Sequence, residues 1–259
     1  MLAAVVSQII AMIVAAVGAG VALPPAAGVA DYQLGGAYEP TANVQIVTRD
    51  RSERPAPGRY NICYVNAFQT QPDELDFWKS DHPSLLLHHN GELLIDEGWP
   101  DEVLLDIRTA AKRQEGATII GSWFDGCAKD GFDAVEPDNL DAWTRSNGLI
   151  AESHALAFSK LLVARAHEAG LAIAQKNAAE WSDKGLGFDF AVAEECSVFD
   201  ECGVYAEAYG GRVIEIEYTD NGRSAYARAC AARAGEHSIM LRDRNVVKAR
   251  GQGYEYKTC

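Results

Sequence analysis

Basic side chains are scarce in this chain: 23 Lys and Arg stand against 37 Asp and Glu among 259 residues, and none precedes Arg49. The resulting net charge of −14 repels phosphate backbones and anionic membrane surfaces, so no nucleic acid partner is expected. Metal signatures are also missing. No Cys-x-x-Cys pair occurs, His88 and His89 are adjacent, and His154 and His167 are far apart, which does not give zinc-ligand spacing. The chain contains no P-loop, no Gly-x-Gly-x-x-Gly and no Gly-x-Ser-x-Gly elbow, so neither nucleotide chemistry nor a serine nucleophile is indicated. No metal and no organic cofactor is expected. Sequence repeats and low-complexity linkers are absent as well, which argues for one domain.

Charge is missing altogether from residues 1–30, an apolar run that stops at Pro24 and Pro25. Small residues, Gly28 and Ala30, stand just before Asp31, as at a signal-peptidase site. The expected organisation is a secretory signal over 1–30 and a single domain over 31–259. That domain would be exported and free of the membrane once the signal is removed. The segment lacks the basic n-region usual in a signal, so a retained extracytoplasmic anchor is the alternative. Six cysteines behind an export signal suggest disulfides. Of the 15 connectivities that six cysteines allow, the expectation pairs Cys196 with Cys202, Cys230 with Cys259 and Cys63 with Cys127, buried free thiols being the alternative.

What remains is an α/β rhythm. Short β-rich runs recur at YQLGG (32–36), VQIVT (44–48), YNICYVNA (60–67), FDAVEP (132–137), LAIAQKN (171–177), FDFAVAEE (188–195), VIEIEYT (213–219) and IMLRD (239–243). A ninth candidate, LLDI (104–107), falls inside the long third connection. Residues 149–170 place Leu149, Leu156, Phe158, Leu161, Leu162 and Ala166 mostly on one helical face, closed by Gly170. Strand, helix and strand in this order predict right-handed βαβ units, and eight of them close into a (β/α)8 TIM barrel. The connection between the fifth and sixth runs is too short for a long helix, so the barrel is expected to be irregular there.

In such a barrel the active site lies where the strands end. Those positions here are Glu136, Asp138 and Asn139, then Lys176 and Asn177, then Glu194 and Glu195, then Glu217 and Tyr218, and finally Asp243. Pro137 cannot donate to a ladder, so the chain leaves the sheet there and Asp138 sits at the mouth. One such residue reads as a solvated cap; consecutive acids at one rim read as a cleft. Two carboxylates flanking one bond are the minimum for glycoside hydrolysis, and Asp138 with Glu194 or Glu195 could supply them. Strand parity leaves that choice open, since packing Phe190 and Val192 outward would turn Glu195 inward. Trp123, Trp143 and Tyr218 are candidate sugar-stacking aromatics.

The blocks FDAVEPDNLDAW (132–143), NG (147–148), LAIAQKN (171–177), AEEC (193–196) followed by ECG (201–203), and VIEIEYTD (213–220) resemble glycoside hydrolase family 114, whose members include endo-α-1,4-polygalactosaminidases. The resemblance runs from YQLGG to the C-terminal cysteine. It implies a TIM barrel, Asp138 as nucleophile or electrostatic stabiliser, and Glu194 as general acid/base. By the resemblance Asn139, Lys176, Asn177 and Glu217 would line the sugar site; Glu136, Glu195, Tyr218 and Asp243 join them as expected lining residues from their places at the strand ends. Many relatives carry NEQC where this chain has Ala193-Glu194-Glu195-Cys196, so an amide is replaced by a second acid. The implied activity is endo-hydrolysis of a cationic α-1,4-linked galactosamine polymer; with the export signal, the enzyme is expected to be secreted, and it is expected to be a monomer. A non-catalytic barrel that binds such a polymer, or a hydrolase of another glycan, is the alternative.

Overall fold

The computed structural model describes residues 20–259. Most of the apolar run read as a signal therefore lies outside the described residues. Eight parallel strands follow one another around the sheet in chain order: β1 (Ala30–Tyr32), β2 (Ile46–Asp50), β3 (Tyr60–Asn66), β4 (Ala134–Asp138), β5 (Ala172–Lys176), β6 (Phe190–Glu194), β7 (Val213–Tyr218) and β8 (Ser238–Arg242). Seven of the eight coincide with the runs read from sequence; β1 shares only Tyr32 with the expected run 32–36 and begins two residues earlier, at Ala30. A short ninth strand, β9 (Tyr256–Thr258), pairs antiparallel with β8. The LLDI run forms only isolated bridges, Gln69 with Leu104 and Leu86 with Leu105, inside the third connection.

The barrel closes without a ladder between β1 and β8. Gly35 bridges Val247, and Gly35 N–H donates to the Val246 carbonyl at 3.1 Å. The fully buried Arg242 spans the remaining seam, donating to the Tyr32 carbonyl, to Val247 O at 2.9 Å and to Glu255 O at 2.9 Å. One guanidinium thus satisfies the last carbonyl of β1 and two carbonyls of the segment that follows β8.

The helices are unevenly spread. No α-helix links β1 to β2 or β2 to β3, and only a 3₁₀ turn, Ala179–Trp181, links β5 to β6. The third connection is long and carries α1 (Leu75–Asp81), a small hairpin (His88–His89 with Glu92–Leu93) and α2 (Ala110–Asp130). The Thr109 side chain caps the start of α2, and Gly131 ends it at φ 95°, a left-handed turn that glycine adopts without strain. The predicted crossover helix is α3 (Glu152–Glu168), with Phe158, Leu162 and Ala166 buried on one face. After β6 come α4 (Cys196–Phe199) and α5 (Cys202–Tyr209), and α6 (Ser224–Arg233) precedes β8.

Two apolar layers fix which side chains face the barrel interior. Ile62, Ala134, Ala172, Ala174, Phe190, Val192, Ile214, Ile216 and Met240 pack together inside the barrel. Cys63, Val135, Ile173, Phe124, Phe158 and Leu162 pack outside it, under α2 and α3. Phe190 and Val192 therefore point inward, and it is the small residues Ala191 and Ala193 that meet Cys196, Cys202 and Tyr205 of α4 and α5. The outward packing expected of Phe190 and Val192 is corrected: helix-facing sites on β6 are narrow, and the barrel interior, lined by alanines on β4 and β5, takes the large ring. The cysteines pair as Cys63–Cys127, Cys196–Cys202 and Cys230–Cys259. The first ties β3 to α2, and the last ties β9 to α6.

Residues 22–30 belong to the folded body. Tyr60 Oη donates to Ala22 O at 2.8 Å, Ala27 N–H to Gly211 O at 2.8 Å, and Ile46 N–H to Val29 O at 3.1 Å. A cut after Ala30 would remove these contacts and divide β1.

Candidate active site

Alternation along each strand follows from this layering. On β4 the inward residues are Ala134, Glu136 and Asp138; on β5, Ala172, Ala174 and Lys176; on β6, Phe190, Val192 and Glu194; on β7, Ile214, Ile216 and Tyr218. The last inward residue of each of these strands is polar and reaches the same rim. The chain then breaks away by one device used three times: Asn139, Asn177 and Glu195, the residues right after β4, β5 and β6, have φ of 63°, 50° and 60°. This left-handed conformation ends the ladder and throws the next side chain aside. It is easy for Asn and costs Glu195 of order 1 kcal/mol.

At the centre lies the buried Lys176 ammonium. Its Nζ is 2.9 Å from Asp138 Oδ1, 3.1 Å from Glu136 Oε1 and 3.3 Å from Glu194 Oε2. Three phenols complete the shell: Tyr32 donates to Glu136 at 2.6 Å, Tyr64 to Asp138 at 2.7 Å, and Tyr218 to Glu194. Asn177 clamps Glu194 from both sides, its Nδ2 donating to Oε2 at 3.0 Å and its Oδ1 accepting from the Glu194 N–H at 2.8 Å.

Burial works against the charge on Lys176, but Asp138, Glu194 and Glu136 outweigh it and hold the ammonium well above the usual lysine range. Burial also opposes ionisation of Asp138, where Lys176 and the Tyr64 hydroxyl outweigh it and keep the carboxyl below its ordinary range. Glu136, at the floor, is pushed up to about 7 by burial despite Lys176, and its Oε2 has no hydrogen-bond partner among the described residues. Burial raises Tyr32, Tyr64 and Tyr218 well above ordinary phenols, with the neighbouring acids adding to it, so all three remain hydroxyl donors.

These groups open into a cavity of about 730 Å³. Of the residues expected to line the site, Asp138, Asn139, Lys176, Asn177, Glu194 and Tyr218 do so, and Glu136 lies directly beneath them. Three others are placed elsewhere. Glu195 is turned aside by its left-handed backbone and is held by Arg244, at 3.1 Å through Nη1, and by Asn221. Glu217 points outward from β7 and accepts the Ser197 N–H at 2.9 Å beneath α4. Asp243 points outward from the end of β8 and fastens the loop that follows, accepting from Val247 N at 2.8 Å and Glu255 N at 3.2 Å. The tryptophans differ in the same way: Trp123 packs on Trp78 beneath Arg51, and Trp143 packs against the outer core.

Sequence reasoning missed Tyr32, Tyr64, Asp96, Trp99, Glu102, Arg145 and Arg244, all on the cavity wall. Tyr32 and Tyr64 fall within the predicted strands, and period-two alternation from Ile62 would have pointed Tyr64 inward. Asp96, Trp99 and Glu102 come from the third connection, where nothing in the local pattern marks the cleft. Beside Glu217 on the outer face, Cys196, Cys202 and Glu215 form a tight group. Its sulfurs are joined in a disulfide, and Glu215 is engaged by Arg233 and His237.

The family model of glycoside-hydrolase family GH114 matches residues 13–259. A search of curated protein sequences finds no match. Among solved structures, that of Aspergillus fumigatus Ega3 in complex with galactosamine is similar, at TM-score 0.71 and 24% identity, covering 93% of this chain and all of that one. The glycoside hydrolase domain of PelA from Pseudomonas aeruginosa is similar at TM-score 0.57 and 12% identity, covering 85% of this chain and 96% of that one.

Proposed function

Because the chain belongs to glycoside-hydrolase family GH114, we propose that its cleft hydrolyses an α-1,4-linked galactosamine-type polysaccharide within the chain, with Asp138 and Glu194 as the reacting carboxylates. The observation that carries this reading is that both carboxylates sit at one rim on a single buried ammonium, at 2.9 and 3.3 Å. Asp138, kept ionised by Lys176 and Tyr64, faces the developing oxocarbenium-like charge as nucleophile or stabiliser. Glu194, fixed by Tyr218 and Asn177, protonates the leaving oxygen and then draws the proton from the attacking water. The galactosamine bound to Ega3 and the acidic balance of this chain support an amino-sugar polymer as substrate.

The disulfides fit an oxidising, extracellular setting, and no described helix is long and apolar enough to cross a membrane. Export would proceed through the N-terminal apolar segment, with cleavage upstream of Ala22 so that the contacts of residues 22–30 persist. The protein acts as a monomer in this reading. The test is product analysis by mass spectrometry after incubation with α-1,4-galactosamine polymer. A ladder of internal fragments with new reducing ends is expected; an intact polymer, or release of monosaccharide alone, would contradict the reading.

A further inference from the structure

The cleft holds more carboxylates than the reaction uses, and most are paired, hydrogen-bonded at both oxygens or exposed to solvent. Asp96 and Asp141 are paired with Arg145 at 2.6 and 2.9 Å. Asp50 lacks a cation among the described residues, but both its oxygens accept hydrogen bonds, Oδ1 from Ser52 and Oδ2 from Gln71. Glu97 is exposed to solvent. Glu102 differs from all of these. It is partly buried, its Oε2 accepts only the neutral Asn66 amide at 2.8 Å, and its Oε1 has no partner among the described residues. No Lys, Arg or His among the described residues lies within ion-pair distance of it.

Its position ties it to the reacting groups. The Asn66 amide that donates to Glu102 also accepts, through Oδ1, from Asn139 Nδ2 at 3.0 Å, and Asn139 follows Asp138 directly. The ionisable groups that face Glu102 are Asp138 and Asp96, which disfavour its charge, and Arg145, which favours it weakly. Burial with these neighbours pushes the carboxyl up to about 7. A partly desolvated carboxylate without a cation is costly to keep, and a ligand ammonium is the group that would relieve it. Trp99, half exposed on the same cavity wall, lies midway in the 96–102 turn, in which Glu102 N–H donates to Trp99 O at 2.9 Å. It offers a ring face for a sugar beside that charge.

We propose that Glu102 is the specificity-determining residue that reads the free amine of the sugar bound next to Asp138, with Trp99 stacking on that sugar. This rests on the function proposed above, but it is tested by binding alone. Galactosamine and N-acetylgalactosamine are titrated by NMR into the wild-type protein, Glu102→Gln and Glu102→Asp at pH 7 and low salt. The wild type is expected to prefer galactosamine, and Glu102→Gln to lose about tenfold or more of that preference, with Glu102→Asp losing less. A folded Gln variant that keeps the wild-type preference overturns the proposal.

Calorimetry on the wild type and Glu102→Gln in two buffers of different ionisation enthalpy gives a second measure. At pH 6.5 galactosamine binding to the wild type should release protons that the Gln variant does not release; no release from the wild type, or equal release from both, would overturn the proposal. Loss of preference without polymer cleavage by the wild type would count against the hydrolase reading only. Cleavage with an unchanged preference would count against Glu102 only.

Discussion

Lys176 brings one positive charge to three carboxylates and so decides the chemistry of the floor. Removing a buried cation leaves its partners uncompensated, a loss of roughly 3–5 kcal/mol. Lys176→Met is expected to lose stability of that order at pH 8 and less at pH 5, since carboxyls left without the ammonium can take up protons. Urea denaturation at both pH values checks this; an equal loss at each would mean that the ammonium is not compensating the acids. At this scale the rim acids were legible because their runs end at a common level, and Asp138 stood out through Pro137. Strand parity did not decide between Glu194 and Glu195, which the family resemblance alone separated, because the inward packing of Phe190 and Val192 and the left-handed turn of Glu195 at φ 60° are set by tertiary packing that no strand pattern encodes. Glu217 and Asp243 were drawn in for the opposite reason: being acidic at a strand end does not fix parity, and both point away from the barrel interior.

Among the elements, the seam between β1 and β8 is the weakest join, because a glycine contact and one guanidinium stand in for a ladder. A Cβ added at Gly35 would overlap the Val246 carbonyl oxygen. Gly35→Ala is therefore expected to destabilise the fold by about 1–3 kcal/mol, read as a drop in thermal midpoint. An unchanged midpoint would show that the seam can relax. The strands from β2 to β8 were readable because parallel, two-side-buried strands appear as short apolar runs between turn residues, whereas β1 starts inside the segment read as a signal and begins two residues before the expected run. The third connection was not, since its 96–102 turn reaches the cleft through tertiary contacts of Asp96 with Gln69 and Arg145 rather than through any local periodicity.

For the whole molecule, buried acid sets the pH response. Glu136, Glu102 and Glu217 are each pushed up to about 7, in every case chiefly by burial. Their ordinary value is 4.5, so the folded chain binds more protons than the unfolded one between these limits. The stability they contribute is full below about pH 4.5 and is lost as pH rises through 7. Asp138 and Asp106 act oppositely: burial raises both, but Lys176 with Tyr64 for Asp138, and Arg108 with Lys112 for Asp106, pull them down, Asp106 to about 2. Their contribution fades only in stronger acid. The thermal midpoint should therefore be higher near pH 5 than at pH 8, where the net charge of −14 adds repulsion; a flat or rising profile from 5 to 8 would contradict this balance.

The central claim, that Asp138 and Glu194 perform the cleavage, is tested most directly by kcat/KM on a defined α-1,4-galactosamine oligomer for the wild type, Asp138→Asn, Glu194→Gln and the outward-facing Asp243→Asn. The first two variants should fall about a hundredfold or more while Asp243→Asn, folded, stays within a few fold of the wild type. Comparable rates for all four proteins would contradict the account.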